Sequence, residues 1–277
     1  METRYALVAI VGITVLASGC TQLEGMIPSN TNGNNGDTTQ PPPGKGLEIT
    51  RFDISDSTLR PGQRAVIIVN LKNYHTKDLE ILDKSIINTG LLEVNFIACK
   101  PREMKMAGNG LYPEQECKWE VTAPPKGTIG GFETKPQSVT LHLEYRSSLV
   151  SSTPLQVQFK PFSEINNTAT RSVSFKNGEV KGSMSTESPA SFQGRDIQVQ
   201  VRPSGSGNSR VVSDYSFEYQ PSDVWQNCPS SKTPVVGDEV KFSCRIVEDS
   251  EVVRNLVLTT HYKYVKEPTL NIELVNN

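Results

Sequence analysis

Five cysteines carry the most evident chemistry in this chain of 277 residues: Cys20, Cys99, Cys117, Cys228 and Cys244. The number is odd, so one thiol needs a role outside intramolecular disulfides. If Cys20 has that role, the other four form two close pairs, and such a set allows three connectivities. The local connectivity, Cys99–Cys117 and Cys228–Cys244, is favoured because each pair then lies inside one candidate domain.

Buried free thiols and a zinc site are the two alternatives to these disulfides. Zinc is disfavoured because neither pair has C-x-x-C spacing and the three histidines, His75, His142 and His261, are scattered along the chain. Disulfides persist in oxidising compartments. The favoured pairing therefore predicts a protein that is exported from the cytoplasm.

The segment before Cys20 agrees with export. Tyr5 to Leu16 is an apolar run of about a dozen residues that follows Arg4 and precedes three small residues. This order is typical of a secretory signal. A membrane-spanning helix needs roughly 20 apolar residues, so an uncleaved membrane anchor is the weaker alternative.

The four residues Ala17-Ser18-Gly19-Cys20 resemble the lipobox of bacterial and archaeal lipoproteins. The resemblance implies that residues 1–19 are a signal peptide, that the chain is cut before Cys20, and that the Cys20 thiol carries the lipid. The protein would then be held on the extracytoplasmic face of the cell membrane. Residues 20–46, rich in Asn, Gly, Thr and Pro, predict a flexible tether.

Motifs of known catalytic sites are not found in the sequence. It has no G-x-S-x-G, H-E-x-x-H, glycine-rich phosphate loop or dinucleotide fingerprint. His75 is interpreted as a solvated loop residue, and His142 and His261 as half-exposed residues on strands. We therefore expect no cofactor.

Charged residues suggest no dedicated ion or nucleic-acid site. Asp53, Asp56 and Asp83 lack the dense acidic loop of a calcium site and are interpreted as solvated carboxylates. Residues 100–106 (KPREMKM) form a small basic patch, but 28 Lys and Arg stand against 30 Asp and Glu. With a net charge of −2, the chain lacks the basic field of a nucleic-acid-binding protein.

Beyond residue 46 the pattern predicts an all-β fold. Short segments with period-two alternation are separated by Gly- and Pro-containing turns, as in 138–145 and 154–159. This pattern is typical of antiparallel sheets with one buried face. The one segment interpreted as a helical turn or two is 78–87 (DLEILDKSII).

The second half repeats the layout of the first. Gly62 and Gly194, each predicted to lie in a turn between two strands, are 132 residues apart. The two cysteine pairs are offset by 129 and 127, and Tyr145 and Tyr262 by 117. This order predicts a tandem repeat. The predicted domains are 47–160 and 173–277, joined by a linker at 161–172, and we expect each to fold alone.

Two segments, LEITRFDISDSTLRPGQRAVIIVNLKN and GEVKGSMSTESPASFQGRDIQVQV, resemble the immunoglobulin-like, cell-adhesion-related repeats of archaeal and bacterial surface proteins. The resemblance implies two antiparallel β-sandwiches. The cysteines of each pair are only 18 and 16 positions apart. These bridges are therefore expected to staple adjacent strands or a loop, unlike the intersheet disulfide of antibody domains.

These observations favour a non-enzymatic, lipid-anchored cell-surface protein that presents two β-domains for adhesion, envelope assembly or partner binding, with a protein or surface polymer as partner. The alternative is a solute- or polymer-binding lipoprotein serving a transporter, which the missing βαβ pattern disfavours. An enzyme is the third hypothesis. The sequon at Asn166 is a candidate N-glycosylation site within the linker.

Overall fold

The structure, a computed structural model, describes residues 45–76, 79–108, 110–204, 208–234 and 239–276. The predicted all-β fold is confirmed: this part of the chain contains strands, one short 3₁₀ turn and no helix able to span a membrane. All described residues belong to one compact unit.

The strands of the first half are β1 (Leu47–Ile54), β2 (Thr58–Leu59), β3 (Arg64–Asn73), β4 (Glu80–Ile87), β5 (Glu93–Lys100), β6 (Glu114–Thr122), β7 (Thr134–Val150) and β8 (Leu155–Lys160). Those of the second half are β9 (Ala169–Lys176), β10 (Val180–Ser188), β11 (Ala190–Ser191), β12 (Arg195–Pro203), β13 (Ser209–Val211), β14 (Tyr215–Gln220), β15 (Trp225–Gln226), β16 (Ser231–Lys232), β17 (Val240–Ile246), β18 (Val252–Lys266) and β19 (Thr269–Val275). The 3₁₀ turn is Phe162–Glu164.

Two antiparallel sheets each belong to one half of the chain. Sheet 1 has the order β1-β3-β6-β5, and sheet 2 has the order β15-β17-β12-β10-β9. Alternate residues of β3 and of β17 are buried, which is the period-two pattern of a sheet with one face on the core. The run β1-β3-β6-β5 matches β10-β12-β17-β15, so the two halves share a strand order.

The central sheet contains strands of both halves. Its main path is β11-β8-β18-β7-β19-β2, with β4 paired to β7 and with β13 and β14 paired to β18. The strands β7 and β18, of 17 and 15 residues, pair antiparallel from Leu143–Lys266 to Val150–Thr259. Buried residues of all three sheets belong to one hydrophobic cluster.

The last strand of each half pairs with the other half. Strand β8 pairs with β18 and β11, whereas β19 pairs with β7 and β2. Each half of the chain gives its last strand to the other half, as in domain swapping. Below, the two halves that share the strand order, 45–160 and 161–276, are called the repeats. The prediction that 47–160 and 173–277 are separate, independent sandwiches is therefore wrong: alternation shows which face of a strand is buried, but it does not choose the strand's neighbour.

Two local predictions have different outcomes. The turns expected at Gly62 and Gly194 are present, and both glycines have positive φ (69° and 100°), which a residue with a Cβ adopts only with strain. The helical turn expected at 78–87 is wrong, because Glu80–Ile87 is strand β4, paired to β7 with a register shift near Ile81. The edge of β7 supplies backbone partners that local helical spacing does not reveal.

Candidate functional site

The centre of the junction between the repeats is the pairing of β7 with β18. Tyr145 lies opposite Tyr264, and Ser147 lies opposite Tyr262. Positions 145 and 147 of the first half correspond to 262 and 264 of the second half at the offset of 117 residues. The pair Tyr145–Tyr264 therefore corresponds to the pair Tyr262–Ser147. The four side chains are buried, and the antiparallel register relates the two pairs by a local twofold axis between β7 and β18.

The turn between β9 and β10 brings a carboxylate to this axis. Gly178 has φ 85° within the turn. The Asn177 side chain accepts a hydrogen bond from the N–H of Val180 at 3.1 Å and donates one to the Ser148 carbonyl at 3.1 Å. These contacts fix the next residue, Glu179, whose side chain is only 1% exposed.

Glu179 accepts hydrogen bonds from both repeats. Its Oε1 accepts from the Tyr145 hydroxyl at 2.7 Å, the Leu47 N–H at 2.8 Å and His75 Nε2 at 3.0 Å. Its Oε2 accepts from the Tyr262 hydroxyl at 3.0 Å. The two symmetry-equivalent tyrosines thus each bind one oxygen of a single carboxylate. We call these five residues, with Lys266, the Glu179 cluster.

Gly46 explains why only one carboxylate occupies the axis. It lies immediately before β1, as Glu179 lies immediately before β10, and the two are 133 residues apart. A Cβ at Gly46 would lie well inside van der Waals contact with the Glu179 carboxyl group. The first repeat therefore has glycine where the second has glutamate. The space between the two positions is occupied by the Glu179 side chain.

Electrostatics keep Glu179 charged despite its burial. Burial alone would raise the pKa of Glu179, but the electrostatic interaction and hydrogen bond with His75, the charge of Lys266 and the hydrogen bond from Tyr145 lower that pKa to about 2. Lys266 is half-buried, the resulting desolvation lowers its pKa, and its Nζ donates to the Leu47 carbonyl. The cluster is thus a buried carboxylate that four hydrogen bonds and the charge of Lys266 stabilise.

The chain of contacts from Ser147 to Glu179 has the residue types of a hydrolytic relay. His75 Nδ1 lies 3.1 Å from Ser147 Oγ, and His75 Nε2 lies 3.0 Å from Glu179 Oε1. A nucleophilic serine must reach its substrate, yet Ser147 is 2% exposed and sits within the ladder between β7 and β18. The cluster is therefore suited to holding the repeats together.

An open cleft lies beside the Glu179 cluster. Its volume is about 1070 Å³, and the buried residues Ser147 and Tyr262 lie behind its wall. The first half contributes Leu79, Glu80, Met104, Lys105, Met106 and Arg146, and the second half contributes Ser213, Asp214, Ser216, Glu218, His261 and Lys263. The cleft combines both signs of charge with methionine side chains, which adapt their shape to a partner.

This junction cleft exists only while the repeats are joined, because neither half supplies all of its walls. Arg146 and Glu80, in its first-half wall, form an ion pair of 2.9 Å. The basic patch predicted at 100–106 contributes Met104, Lys105 and Met106. A backbone hydrogen bond of 2.7 Å from Ala107 to His75 joins this segment to the Glu179 cluster.

The predicted cysteine pairing is confirmed. Cys99 is bonded to Cys117 and Cys228 to Cys244, with Cα–Cα distances of 4.0 and 4.8 Å. Cys99 and Cys117 are direct cross-strand partners on β5 and β6, and Cys228 ties the loop after β15 to β17. Both bridges are local staples within one repeat.

The other predicted attachment sites have different positions. Cys20, the signal peptide and the tether to residue 44 lie outside the described residues. Asn166 is exposed between the 3₁₀ turn and β9, where a glycan would have room. The linker predicted at 161–172 is shorter than expected, because β9 begins at Ala169.

The interpretation of His75 as a solvated loop residue is wrong, since it is 5% exposed within the Glu179 cluster. His142 and His261 are half-buried on β7 and β18, as expected. Glu179 was not found by motif reasoning. The signal that could have found it is the repeat alignment, which puts a charged residue opposite Gly46 at the start of an apolar strand.

The predicted carboxylates are not brought together. Asp56 Oδ1 accepts the N–H of Thr58 at 3.0 Å and its Oδ2 accepts from the Gln63 amide at 2.7 Å, which is a turn-stabilising role. Asp53 forms an ion pair with Arg51 at 2.8 Å. Within the described part of the chain, no group of three or more His, Cys, Asp or Glu residues could hold a metal ion.

No protein-family model matches the chain, and no curated protein matches it significantly.

Proposed function

We propose that this protein is a lipid-anchored, non-enzymatic binding protein of the cell surface. Cys20 carries the lipid, residues 20–46 separate the body from the membrane, and the immunoglobulin-like repeats act as one rigid body. The partner binds in the junction cleft. The partner is a protein or a polymer of the cell envelope.

The observation that carries this proposal is the construction of the junction cleft. About 1070 Å³ of open space is lined by polar, charged and methionine side chains from both repeats. Ligand sites commonly occur where structural units meet and where a few polar groups converge on an apolar wall. The neighbouring Glu179 cluster supports the proposal because it keeps both walls in a fixed relation before binding, which reduces the ordering entropy that binding would lose.

A solute-binding role for a transporter is the second candidate, and the same cleft favours it. The two candidates differ in what occupies the cleft: an envelope macromolecule in the first and a small solute in the second. The cleft's balanced charges, with Lys105, Arg146 and Lys263 against Glu80, Asp214 and Glu218, suit a partner with polar groups of both signs.

The anchor is tested with Cys20→Ser in the native host. The expected result is an unprocessed precursor or a protein released from the membrane fraction, because the substitution removes the thiol that would carry the lipid. Cys99→Ser is not a suitable control since it breaks a structural disulfide. Ser29→Thr, in the predicted tether, leaves the lipobox and the thiol unchanged and serves instead. A Cys20→Ser protein that matures and stays with the membranes would refute lipid attachment there.

The cleft is tested by photocrosslinking in intact cells. A photoreactive amino acid replaces Met106, which lines the cleft and is 56% exposed, or Phe132, which is 65% exposed and lies outside the cleft. Adducts with an envelope macromolecule from position 106 and not from 132 are expected. Equal adducts from both positions, or none from 106, would contradict binding in the cleft, and labelling of a small solute would favour the transporter role.

A further inference from the structure

The outer face of sheet 2 carries a row of cations. Register pairs Lys176 of β9 with Lys181 of β10, and Lys181 with Arg202 of β12. All three side chains are exposed. Neighbouring strands are about 4.8 Å apart, so three positive groups stand side by side over roughly 10 Å. We call these three residues the basic row.

No ion pair within 4 Å joins the basic row to a carboxylate among the described residues. The matching face of sheet 1 provides an internal comparison, since three cations there have a carboxylate partner: Lys72 with Glu114 at 2.8 Å, Lys118 with Glu116 at 2.8 Å and Arg64 with Glu120 at 3.6 Å. Like charges placed directly opposite each other destabilise a sheet. The basic row is thus an arrangement that folding does not favour and that an anion would stabilise.

Polar groups continue beyond the basic row. The next row across the same strands is Ser174, Ser183 and Gln200, and the Gln200 amide donates a hydrogen bond to Glu239 at the end of this face. The outward positions within 172–176, 181–185, 198–202 and 241–245 are all Ser, Gln, Lys or Arg. A depression of about 540 Å³ is lined by the two rows together with Phe175 and Gly182. Cations and hydrogen-bonding groups therefore meet in one surface feature.

We propose that this face binds an acidic polysaccharide. The basic row would bind carboxylate groups, and the adjoining Ser174 and Ser183 side chains would hydrogen-bond sugar hydroxyls. An apolar surface that could enter a bilayer is missing from these outward positions, which disfavours a membrane as the partner. The site is distinct from the junction cleft. The proposal rests on the proposed cell-surface location in one respect: that location is why the polysaccharide would come from the cell envelope.

The test is binding of the full chain, purified in detergent, to polygalacturonate, with neutral dextran and phosphatidylglycerol vesicles as comparisons. The test variant is Lys176→Gln/Lys181→Gln/Arg202→Gln. The control variant is Arg64→Gln/Lys72→Gln/Lys118→Gln, which changes the net charge equally on the matching face of sheet 1. Because like-charge repulsion is removed, the test variant should unfold at the same temperature as the wild type or a higher one.

We expect the wild type to bind polygalacturonate and not dextran, with binding that weakens as ionic strength rises. The test variant should bind about ten- to a hundredfold more weakly, since three lost surface ion pairs contribute about 0.5–1 kcal/mol each. The control variant should bind as the wild type does. Equal losses in both variants, preference for the vesicles, or no binding by the wild type would overturn the proposal. These outcomes are independent of Cys20 processing and of crosslinking at Met106, so either proposal can fail alone.

Discussion

Removal of the carboxylate at the junction should destabilise the whole body. In Glu179→Ala, the hydroxyls of Tyr145 and Tyr262, His75 Nε2 and the Leu47 N–H all lose their acceptor. Each buried donor left unsatisfied costs about 1–3 kcal/mol, and these costs are not additive. Lys266 would also lose the nearby negative charge of Glu179, so we expect the unfolding free energy to fall by about 3–5 kcal/mol.

The assay is urea unfolding of the full chain followed by far-UV circular dichroism, with Glu187→Ala as the matched control. Glu187 is also a glutamate of the second repeat, but it is 49% exposed and forms a surface ion pair of 2.8 Å with Arg195. Its removal should cost less than about 1 kcal/mol. Glu179→Gln, which keeps one acceptor oxygen, should lie between the two. If Glu179→Ala and Glu187→Ala differ by less than about 1 kcal/mol, the Glu179 cluster does not hold the repeats together.

Three further predictions concern the same junction. Because the pKa of Glu179 is lowered, its ionised carboxylate stabilises the fold fully above pH 4.5, the ordinary pKa, and this stabilisation is lost as pH falls towards about 2. Between these pH values the unfolding free energy of the wild type should fall by about 3 kcal/mol more than that of Glu179→Gln, measured by urea unfolding at each pH. Gly46→Ala should lose about 1–3 kcal/mol through overpacking against Glu179, whereas Gly131→Ala, with open space around its Cβ, should be nearly neutral in the same assay. Residues 45–160 and 161–277, expressed separately with their disulfides, should each melt well below the intact protein and should regain stability when mixed, and two fragments that melt independently at the wild-type temperature would contradict the strand exchange.

Much of the local structure could be predicted from the sequence. The segment RAVIIVNL predicts β3 because alternate apolar residues mark a strand with one buried face, and Pro61-Gly62 marks the turn before it. The disulfides followed from counting, because each local pair lies within one repeat. These features depend on residues close together in sequence, which is why spacing alone reveals them.

The Glu179 cluster depends on contacts between residues distant in sequence. His75 and Glu179 are 104 positions apart, and Tyr145 and Glu179 are 34 apart. A histidine after a strand and a glutamate after Asn-Gly both have the pattern of exposed loop residues, and most such residues are solvated. The pairing of β7 with β18 brings Tyr145 and Tyr262 together, and both bind Glu179 in the turn between β9 and β10. No local pattern encodes these contacts.

The exchange of β8 and β19 has the same origin and a further consequence. Leu155, Val157 and Phe159 alternate on β8, as Ile272 and Leu274 do on β19, so either strand has a buried face that fits either repeat. The final strand of each half could pair within its own half or with the other half. The short connections after the long strands β7 and β18, residues 151–154 and 267–268, direct it to the other half. Short connections of this kind favour exchange of the strand over its folding back onto its own half. Because each repeat then lacks a core strand unless the other is present, the walls of the junction cleft cannot separate without loss of the hydrophobic core, and any partner in that cleft meets a surface fixed in advance of binding.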